Sequence, residues 1–197
     1  MAAKNQGNRK EIRLAGEGGQ GMILAGIILA EAAAIYDNKN ATQTQSYGPE
    51  ARGGTCKADV VISNQEIDYP KASRPTLLLA MNQASCDKYF LDLKPTGLLI
   101  VDTTFVKKVP TGRVAALPFT RIARQTIGNE LTSNMVALGA FGHLCKTVTM
   151  QSIEDALMAR VPKGTEDLNL KALRAGMDAA KQLDLCTLPQ LVREDDE

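Results

Sequence analysis

The alternation of apolar and polar positions divides the first half of the chain into short strands. Residues 11–15 alternate charged and apolar side chains, which predicts a first strand, and residues 41–47 form a more polar strand. Residues 57–63 and 114–117 supply two others. Continuous apolar runs at residues 76–81 and 98–102 are typical of strands buried on both faces of a parallel sheet.

Helical spacing separates several of these strands and dominates the second half. Ile23, Ile27, Ala30 and Ala34 recur at helical intervals within residues 22–36, and we expect this helix to be buried on nearly all sides. Further helices are predicted over residues 83–93, 120–127, 134–146, 152–158 and 170–183. The fold class is therefore α/β, with an open, mostly parallel Rossmann-like sheet, flanking helices and a more helical C-terminal part.

A single domain over residues 11–190 is the simplest organisation, because the chain shows neither an internal repeat nor a low-complexity linker. Residues 1–10 are polar and are expected to form a flexible tail. Residues 191–197 end in four consecutive acidic side chains, which are expected to be solvated. At the start of the 134–146 helix we interpret Asn134 as the N-cap, with Ser133 as the alternative.

A glycine-rich turn follows the first predicted strand and precedes the first helix. Its residues satisfy the G-x-G-x-x-G pattern and include Gly16, Gly18, Gly19, Gln20 and Gly21. Gly16 would permit a tight turn, Gly18 the approach of the backbone to a ligand, and Gly21 close packing of helix on strand. Free N–H groups at the helix start attract an anion, so a phosphate or carboxylate is the expected guest. The alternative is a sharp turn that only contacts another chain.

An ordinary NAD site is not expected at this turn. Dinucleotide-binding enzymes carry an acidic residue at the end of their second strand, which holds the ribose hydroxyls. The second predicted strand instead reads Thr42, Gln43, Thr44, Gln45 and Ser46, and Asp37 precedes it. Since neither face of this strand is apolar, we expect its end to border a ligand site or another subunit.

A second loop concentrates turn residues and charge directly after that strand. It comprises Ser46, Tyr47, Gly48, Pro49, Glu50, Ala51, Arg52, Gly53 and Gly54. Arg52 could hold a phosphate or a carboxylate, and Gly53 with Gly54 could expose backbone N–H groups to an anion. An ion pair between Glu50 and Arg52 on a solvated turn is the alternative. We expect the two loops to meet at the ends of adjacent strands.

Composition narrows the class of protein. The net charge is only +1 and Trp is absent, so neither a global field nor a stacking platform favours nucleic acid. No apolar stretch is long enough to cross a membrane and the first ten residues have no apolar signal core, so we expect a cytoplasmic protein. Four widely separated cysteines predict neither a metal site nor an iron–sulfur site. The only histidine, His143, has no Ser or Asp arrangement near it that would suggest a nucleophilic triad, and we interpret it as structural.

Together the two loops carry a resemblance that neither has alone. The run from Gly16 to Gly21, followed about 25 residues later by the run from Ser46 to Gly54, resembles the gamma subunits and gamma domains of pyruvate and 2-oxoacid:ferredoxin oxidoreductases. Residues 134–140 are also similar to a later helix of that family. The resemblance extends from about residue 11 to about residue 183.

The resemblance implies an oxidoreductase subunit that is inactive alone. In that family, alpha and beta parts hold thiamine diphosphate with Mg, and a ferredoxin-like part holds iron–sulfur clusters. The complex converts a 2-oxoacid, such as pyruvate or 2-oxoglutarate, to an acyl-CoA and passes electrons to ferredoxin. The implied partners are those subunits, with self-association of the isolated chain left open. No catalytic, metal or tightly bound cofactor residue is expected in this chain; its loops would face coenzyme A and neighbouring subunits.

Two other functions stay open at this stage. A stand-alone nucleotide-binding Rossmann-like enzyme would use the turn from Gly16 to Gly21, although the missing acidic residue disfavours it. A pure assembly module would use both loops only to contact neighbouring subunits. Binding of NAD(H), FAD or CoA would separate the first alternative from the family function.

Overall fold

A computed structural model describes residues 9–47, 55–110 and 112–183, and six strands of these residues form one sheet. The strands are β1 (Lys10–Glu17), β2 (Asn40–Ser46), β3 (Thr55–Ser63), β4 (Leu77–Ala80), β5 (Leu98–Asp102) and β6 (Val114–Leu117). Their order across the sheet is β2-β3-β1-β4-β5-β6. Strands β1, β4, β5 and β6 are parallel, while β3 runs antiparallel to both of its neighbours.

Six α-helices accompany this sheet in the described residues. They are α1 (Met22–Glu31), α2 (Gln83–Tyr89), α3 (Phe119–Ile122), α4 (Ser133–Cys145), α5 (Met150–Arg160) and α6 (Glu166–Ala180). Helices α1 and α3 continue as π-helical turns over Ala32–Tyr36 and Ala123–Ile127, and 3-10 turns occupy Phe90–Asp92 and Glu130–Thr132. The mixed α/β fold predicted from the sequence is confirmed. No helix of the described residues is long and apolar enough to cross a membrane.

The two faces of the sheet are covered unequally because its side chains alternate. Ile12 and Leu14 of β1 point into a large apolar cluster with residues of α1, α3, α4, α5 and α6. Ala15 points into a smaller cluster on the opposite face, which is closed by α2 and the residues that follow it. The C-terminal helices therefore thicken one side of the sheet and leave the other with a single layer.

Helices α4 and α6 pack with their backbones in direct contact. A Cβ atom built on Gly139 would lie 1.8 Å from the Leu173 carbonyl oxygen, and one on Gly176 would lie 1.8 Å from that of Val136. The contacts pair an earlier residue of α4 with a later residue of α6, so the helices are antiparallel. The end of α6 consequently lies beside the start of α4.

Differences from the sequence predictions are concentrated at element ends. Helix α2 is shorter than residues 83–93 because its last turn is 3-10, and α6 begins at Glu166 rather than 170. Asn134 is not the N-cap: α4 begins at Ser133, and Thr132 takes the N-cap position without a side-chain hydrogen bond. Asn134 lies within the first turn, where its Oδ1 accepts from the Met135 N–H at 2.9 Å. The expected burial of the first helix on nearly all sides is wrong at its end, where Ile35 is 67% exposed, because the π-helical turn projects beyond the sheet.

Candidate functional site

The turn after β1 is held by its own glutamine. The Glu17 N–H donates to Gln20 Oε1 (2.7 Å) and the Gln20 N–H donates to the Glu17 carbonyl oxygen (3.0 Å). Gly16 lies inside β1 and is crowded, since a Cβ there would meet Gln20 Oε1 at 2.7 Å. Gly16 therefore makes room for the glutamine rather than forming the tight turn itself.

The next three glycines have separate roles. A Cβ on Gly18 or Gly19 would meet nothing within 4 Å, so the backbone is open on that side. Gly19 and Gly21 have φ values of 98° and 71°, which side chains disfavour. Gly21 was expected to pack on the sheet, but its neighbour is Asn134, whose Nδ2 would lie 2.3 Å from an added Cβ.

Asn134 fixes the turn to the start of α4. Its Nδ2 donates to the Gly21 carbonyl oxygen at 3.3 Å, and the Ala25 N–H donates to the same oxygen at 3.0 Å. The Gly21 carbonyl is therefore used twice, within α1 and between helices. This contact gives a reason for an asparagine at position 134 that the sequence interpretation as a cap missed.

Helix α1 begins without a side-chain cap. Gly21 occupies the N-cap position in a left-handed conformation, and no side chain caps the helix there. The first turn contains no acidic residue. The first N–H groups of a helix have no partner within the helix, and they carry its positive dipole end. An anion placed beside the open Gly18 and Gly19 backbone would meet these N–H groups.

The second predicted loop is described only at its start. Ser46 and Tyr47 are exposed, the tyrosine at 67%, while Gly48, Pro49, Glu50, Arg52, Gly53 and Gly54 lie outside the described residues. Strand β3 lies between β1 and β2, because Glu17 pairs with Thr55 and Ser46 pairs with Lys57. The second loop runs from β2 into β3, and β3 is adjacent to β1, so the expectation that the two loops lie at the ends of adjacent strands agrees with the pairing of Glu17 with Thr55. That the loops themselves meet stays a prediction, because residues 48–54 lie outside the described residues.

Two lysine side chains lie near the start of β3, at the end of the sheet where β1 and β2 end. Lys88 Nζ donates to Thr55 Oγ1 (3.0 Å) and lies 5.3 Å from the centre of the Tyr89 ring. Lys57 Nζ lies 5.6 Å from the same ring and 2.9 Å from Asp59 Oδ2. Among the described residues Lys88 has no carboxylate partner, so its charge is available to an anion at this edge.

The two lysines were not predicted as site residues. Lys57 follows Gly54 closely, a spacing that could have drawn attention to it. Lys88 had no such signal, because 33 residues separate it from Thr55 and only the packing of α2 on β1 and β3 brings them together. Sequence neighbours and spatial neighbours differ here for topological reasons.

Cys56 is the cysteine that the described residues place at this edge. Burial raises the pKa of the Cys56 thiol, which donates to the Glu17 carbonyl oxygen at 3.4 Å. A neutral buried thiol is a poor nucleophile and a poor metal ligand. Within the ranges that the structure describes, no group of three or more His, Cys, Asp or Glu side chains could hold a metal ion.

Comparison with known proteins identifies the class to which this fold and turn belong. A family model described as pyruvate ferredoxin/flavodoxin oxidoreductase matches residues 11–179. The 2-oxoglutarate synthase subunit KorC of Methanocaldococcus jannaschii is 51% identical over 179 residues, covering 89% of this chain and 96% of the relative. The chain therefore belongs to the pyruvate ferredoxin/flavodoxin oxidoreductase family.

Its place within that family follows from the relatives that match it along their whole length. The gamma subunit of a keto/oxoacid ferredoxin oxidoreductase from Geobacter sulfurreducens PCA superposes with a TM-score of 0.80 at 45% identity, covering 88% of this chain and 99% of that one. The pyruvate synthase subunit PorC of Methanosarcina barkeri is 32% identical, covering 76% of this chain and 85% of the relative. This chain is a gamma subunit of a 2-oxoacid:ferredoxin oxidoreductase.

Proposed function

We propose that this gamma subunit serves a 2-oxoglutarate:ferredoxin oxidoreductase and that it presents its glycine-rich edge to coenzyme A. The observation that carries the proposal is the uncapped start of α1 beside the open backbone of Gly18 and Gly19. Phosphate groups are the preferred guests of such helix starts. Coenzyme A is the phosphate-bearing substrate of this type of reaction.

The proposed binding residues come from both loops. They are Gly16, Gly18, Gly19, Gln20, Gly21, Ser46, Tyr47, Gly48, Pro49, Glu50, Arg52, Gly53 and Gly54. Lys57 and Lys88 extend this set, because they add positive charge at the start of β3, which follows the second loop. Backbone N–H groups and ammonium groups would then contact the same anion from different elements.

The proposed 2-oxoacid rests on the pattern of identities. KorC of M. jannaschii, a 2-oxoglutarate synthase subunit, shares 51% identity with this chain, whereas the pyruvate synthase subunit PorC of M. barkeri shares 32%. Both relatives are matched over most of their length, so unequal coverage does not explain the difference. Selection between oxoacids belongs to the subunits that hold the thiamine, and the identities reflect the complex to which each gamma subunit belongs.

The partners in the proposal are alpha and beta subunits, which bind thiamine diphosphate and Mg, and a ferredoxin-like subunit with iron–sulfur clusters. Thiamine diphosphate, when bound there, supplies the decarboxylation of the oxoacid. The gamma chain contributes neither electrons nor a nucleophile. Its residues would bind and orient the acyl acceptor, and its polar edge strand β2 would contact a neighbouring subunit.

A substitution at Gly18 tests this function in the assembled complex. Because a Cβ there meets nothing within 4 Å, Gly18→Val should fold and assemble while obstructing the open backbone. We expect the KM for coenzyme A to rise about tenfold, equivalent to about 1.4 kcal/mol of binding. The initial, CoA-independent reaction with 2-oxoglutarate should be unchanged.

The matched control is Thr96→Val, an exposed turn residue before β5 at the opposite end of the sheet. It should leave the KM for coenzyme A unaltered. An unchanged KM in an intact Gly18→Val complex would contradict the CoA role. Loss of assembly by Gly18→Val, with Thr96→Val complexes intact, would favour the subunit-contact function instead.

A further inference from the structure

A second concentration of positive charge lies at the other end of the sheet. Two adjoining cavities of about 320 and 130 Å³ open around the C-terminus of α4 and share Lys39 and Lys146 as lining residues. Lys10, at the start of β1, lines the smaller cavity, and His143 lines the larger one. Three segments that are distant in sequence therefore bring three lysines and the only histidine together.

The charges at this place are poorly balanced. Lys39 Nζ donates to the Thr147 carbonyl oxygen (2.6 Å) and approaches Asp37 Oδ2 (3.3 Å). The same Asp37 carboxylate already accepts from the Thr149 N–H and hydroxyl at 2.9 Å each. Neither Lys10 nor Lys146 forms an ion pair or side-chain hydrogen bond within the described part of the chain. Three ammonium groups thus face one engaged carboxylate.

The remaining titratable groups do not restore the balance. Burial raises the pKa of the Cys145 thiol strongly, although the Lys10 charge beside it acts in the opposite direction. The thiol is therefore neutral and offers Lys10 no negative partner. Ile62, Asn64 and Thr147 complete the wall of the smaller cavity without adding charge.

Compensation of the α4 dipole explains only part of this cluster. His143 lies in the last turn of α4 and Lys146 caps its end, where positive charge is favoured. Lys10 and Lys39 belong to β1 and to the segment before β2, so the dipole of α4 gives no reason for their convergence. Like charges brought together without partners destabilise a fold unless an anion is bound between them.

We propose that Lys10, Lys39 and Lys146 form a binding site for a phosphate group. All three lysines line the smaller cavity, which is larger than the space that a single water molecule needs and can take a tetrahedral oxyanion. Asn64 can donate an additional hydrogen bond from its amide. The site lies at the opposite end of β1 from the glycine-rich turn and is separate from the proposed coenzyme A site.

The single histidine provides a direct readout of occupancy. Inorganic phosphate is titrated into the full chain at constant ionic strength while the imidazole carbon-bound proton of His143 is followed by NMR. We expect a saturable change in this resonance. Adenosine monophosphate in a parallel titration distinguishes a phosphate carried by a nucleotide, which should then bind more tightly, from free phosphate.

Charge-removing variants locate the site. Lys10→Gln and Lys146→Gln should each weaken phosphate binding at least about fivefold, whereas Lys163→Gln, an exposed lysine in the turn before α6, should leave it unchanged. Chloride at the same ionic strength should produce no saturable change. A linear response to phosphate, or equal weakening by Lys163→Gln, would overturn the proposal.

Discussion

Asp37 joins the end of the first helix to the start of α5. Its carboxylate accepts hydrogen bonds from Ser152 and from both the N–H and the hydroxyl of Thr149, and Lys39 lies 3.3 Å away. Burial opposes the charged form of this carboxyl. The hydrogen bonds outweigh burial, and the pKa of Asp37 lies below its ordinary value.

Replacement of the Asp37 carboxylate should reduce the free energy of unfolding by an amount that depends on pH. The folded state lowers the pKa, so the stabilisation is present above the ordinary aspartate pKa of about 4 and is lost as pH falls through the lower folded value. We expect Asp37→Asn to reduce the free energy of unfolding by about 1–3 kcal/mol at pH 7, and by less at pH 3.5. Urea denaturation at the two pH values measures both.

Asp178→Asn is the control for this prediction, because Asp178 forms an exposed pair with Lys181 on α6. Its effect should stay within about 0.5 kcal/mol at either pH. A cost of Asp37→Asn that does not change with pH would show that shape, rather than charge, makes the Asp37 contacts important.

Arg13 is one of the buried charged residues of the described chain, together with Asp59 and Asp102. Its guanidinium is only 3% exposed, donates to Asp59 Oδ1 at 2.7 Å and to the Ala72 carbonyl oxygen at 2.9 Å, and also contacts Asp92. Tyr89 packs against it, with the ring centre 5.1 Å from the guanidinium carbon. The cluster lies under α2, on the thinly covered face of the sheet.

Breaking this cluster should reduce the free energy of unfolding far more than breaking a surface ion pair. Arg13→Met leaves the Asp59 carboxylate buried with Lys57 as its remaining charged partner, so we expect a loss of about 3–5 kcal/mol in the free energy of unfolding. Arg174→Met, which breaks the exposed pair with Glu154, should cost much less, because solvent screens the two charges. Chemical denaturation compares the two, and similar losses would contradict a special role for burial.

The side-chain partners in these clusters could not be predicted from the sequence. The alternating pattern around Arg13 was recognised as a strand, but the carboxylates that neutralise Arg13 lie 46 and 79 residues away. Likewise, the glycine pattern identified Gly21 without identifying Asn134 as its neighbour. Such pairings depend on which elements pack together, and propensities within a single segment carry no information about that.

Among the described elements, helices α4 and α6 pack most closely. Both helices were predicted from the sequence, and α4 contains the small residues Gly139, Ala140 and Gly142. Only the antiparallel arrangement shows that Gly139 and Gly176 each face a carbonyl oxygen of the opposite helix. Any side chain at these two positions would separate the helices.

A pair of substitutions in α4 tests this contact. Gly139→Ala places a Cβ 1.8 Å from the Leu173 carbonyl oxygen, and we expect at least about 2 kcal/mol of destabilisation despite the better helix propensity of alanine. Gly142→Ala meets only the side chains of Ile153 and Met150, which can move, so its net effect should be below about 1 kcal/mol. Thermal unfolding measures both; equal effects would exclude a backbone clash as the cause.

The type of each secondary-structure element was predicted better than the elements that pack against it. The runs at 98–102 and 114–117 coincide with β5 and β6 because short apolar runs between turns leave little choice of boundaries. The polar strand β2 was recognised, and its position at the sheet edge explains why it lacks an apolar face. That β3, rather than β2, pairs with β1 depends on a long-range pairing that no local pattern encodes.

As a whole, the chain is built to work within an assembly. Purified alone, it should convert no 2-oxoacid and contain no iron, since the proposed function assigns the thiamine and the clusters to partner subunits. Addition of the alpha, beta and ferredoxin-like subunits should restore CoA-dependent reduction of ferredoxin. Iron analysis and a ferredoxin-reduction assay test this, and activity of the isolated chain would contradict the assignment.

The family, the fold class and the glycine-rich turn were predicted from local sequence patterns alone. This was possible because neighbouring residues determine periodicity and backbone requirements. The turn was expected to bind an anion, and its uncapped helix start and open Gly18 are consistent with that hypothesis. Only the tertiary structure revealed three other contacts: Lys88 with Thr55, Asn134 with Gly21, and the three lysines around α4. Each of these depends on contacts between distant segments, and tertiary packing alone brings such segments within reach of one another.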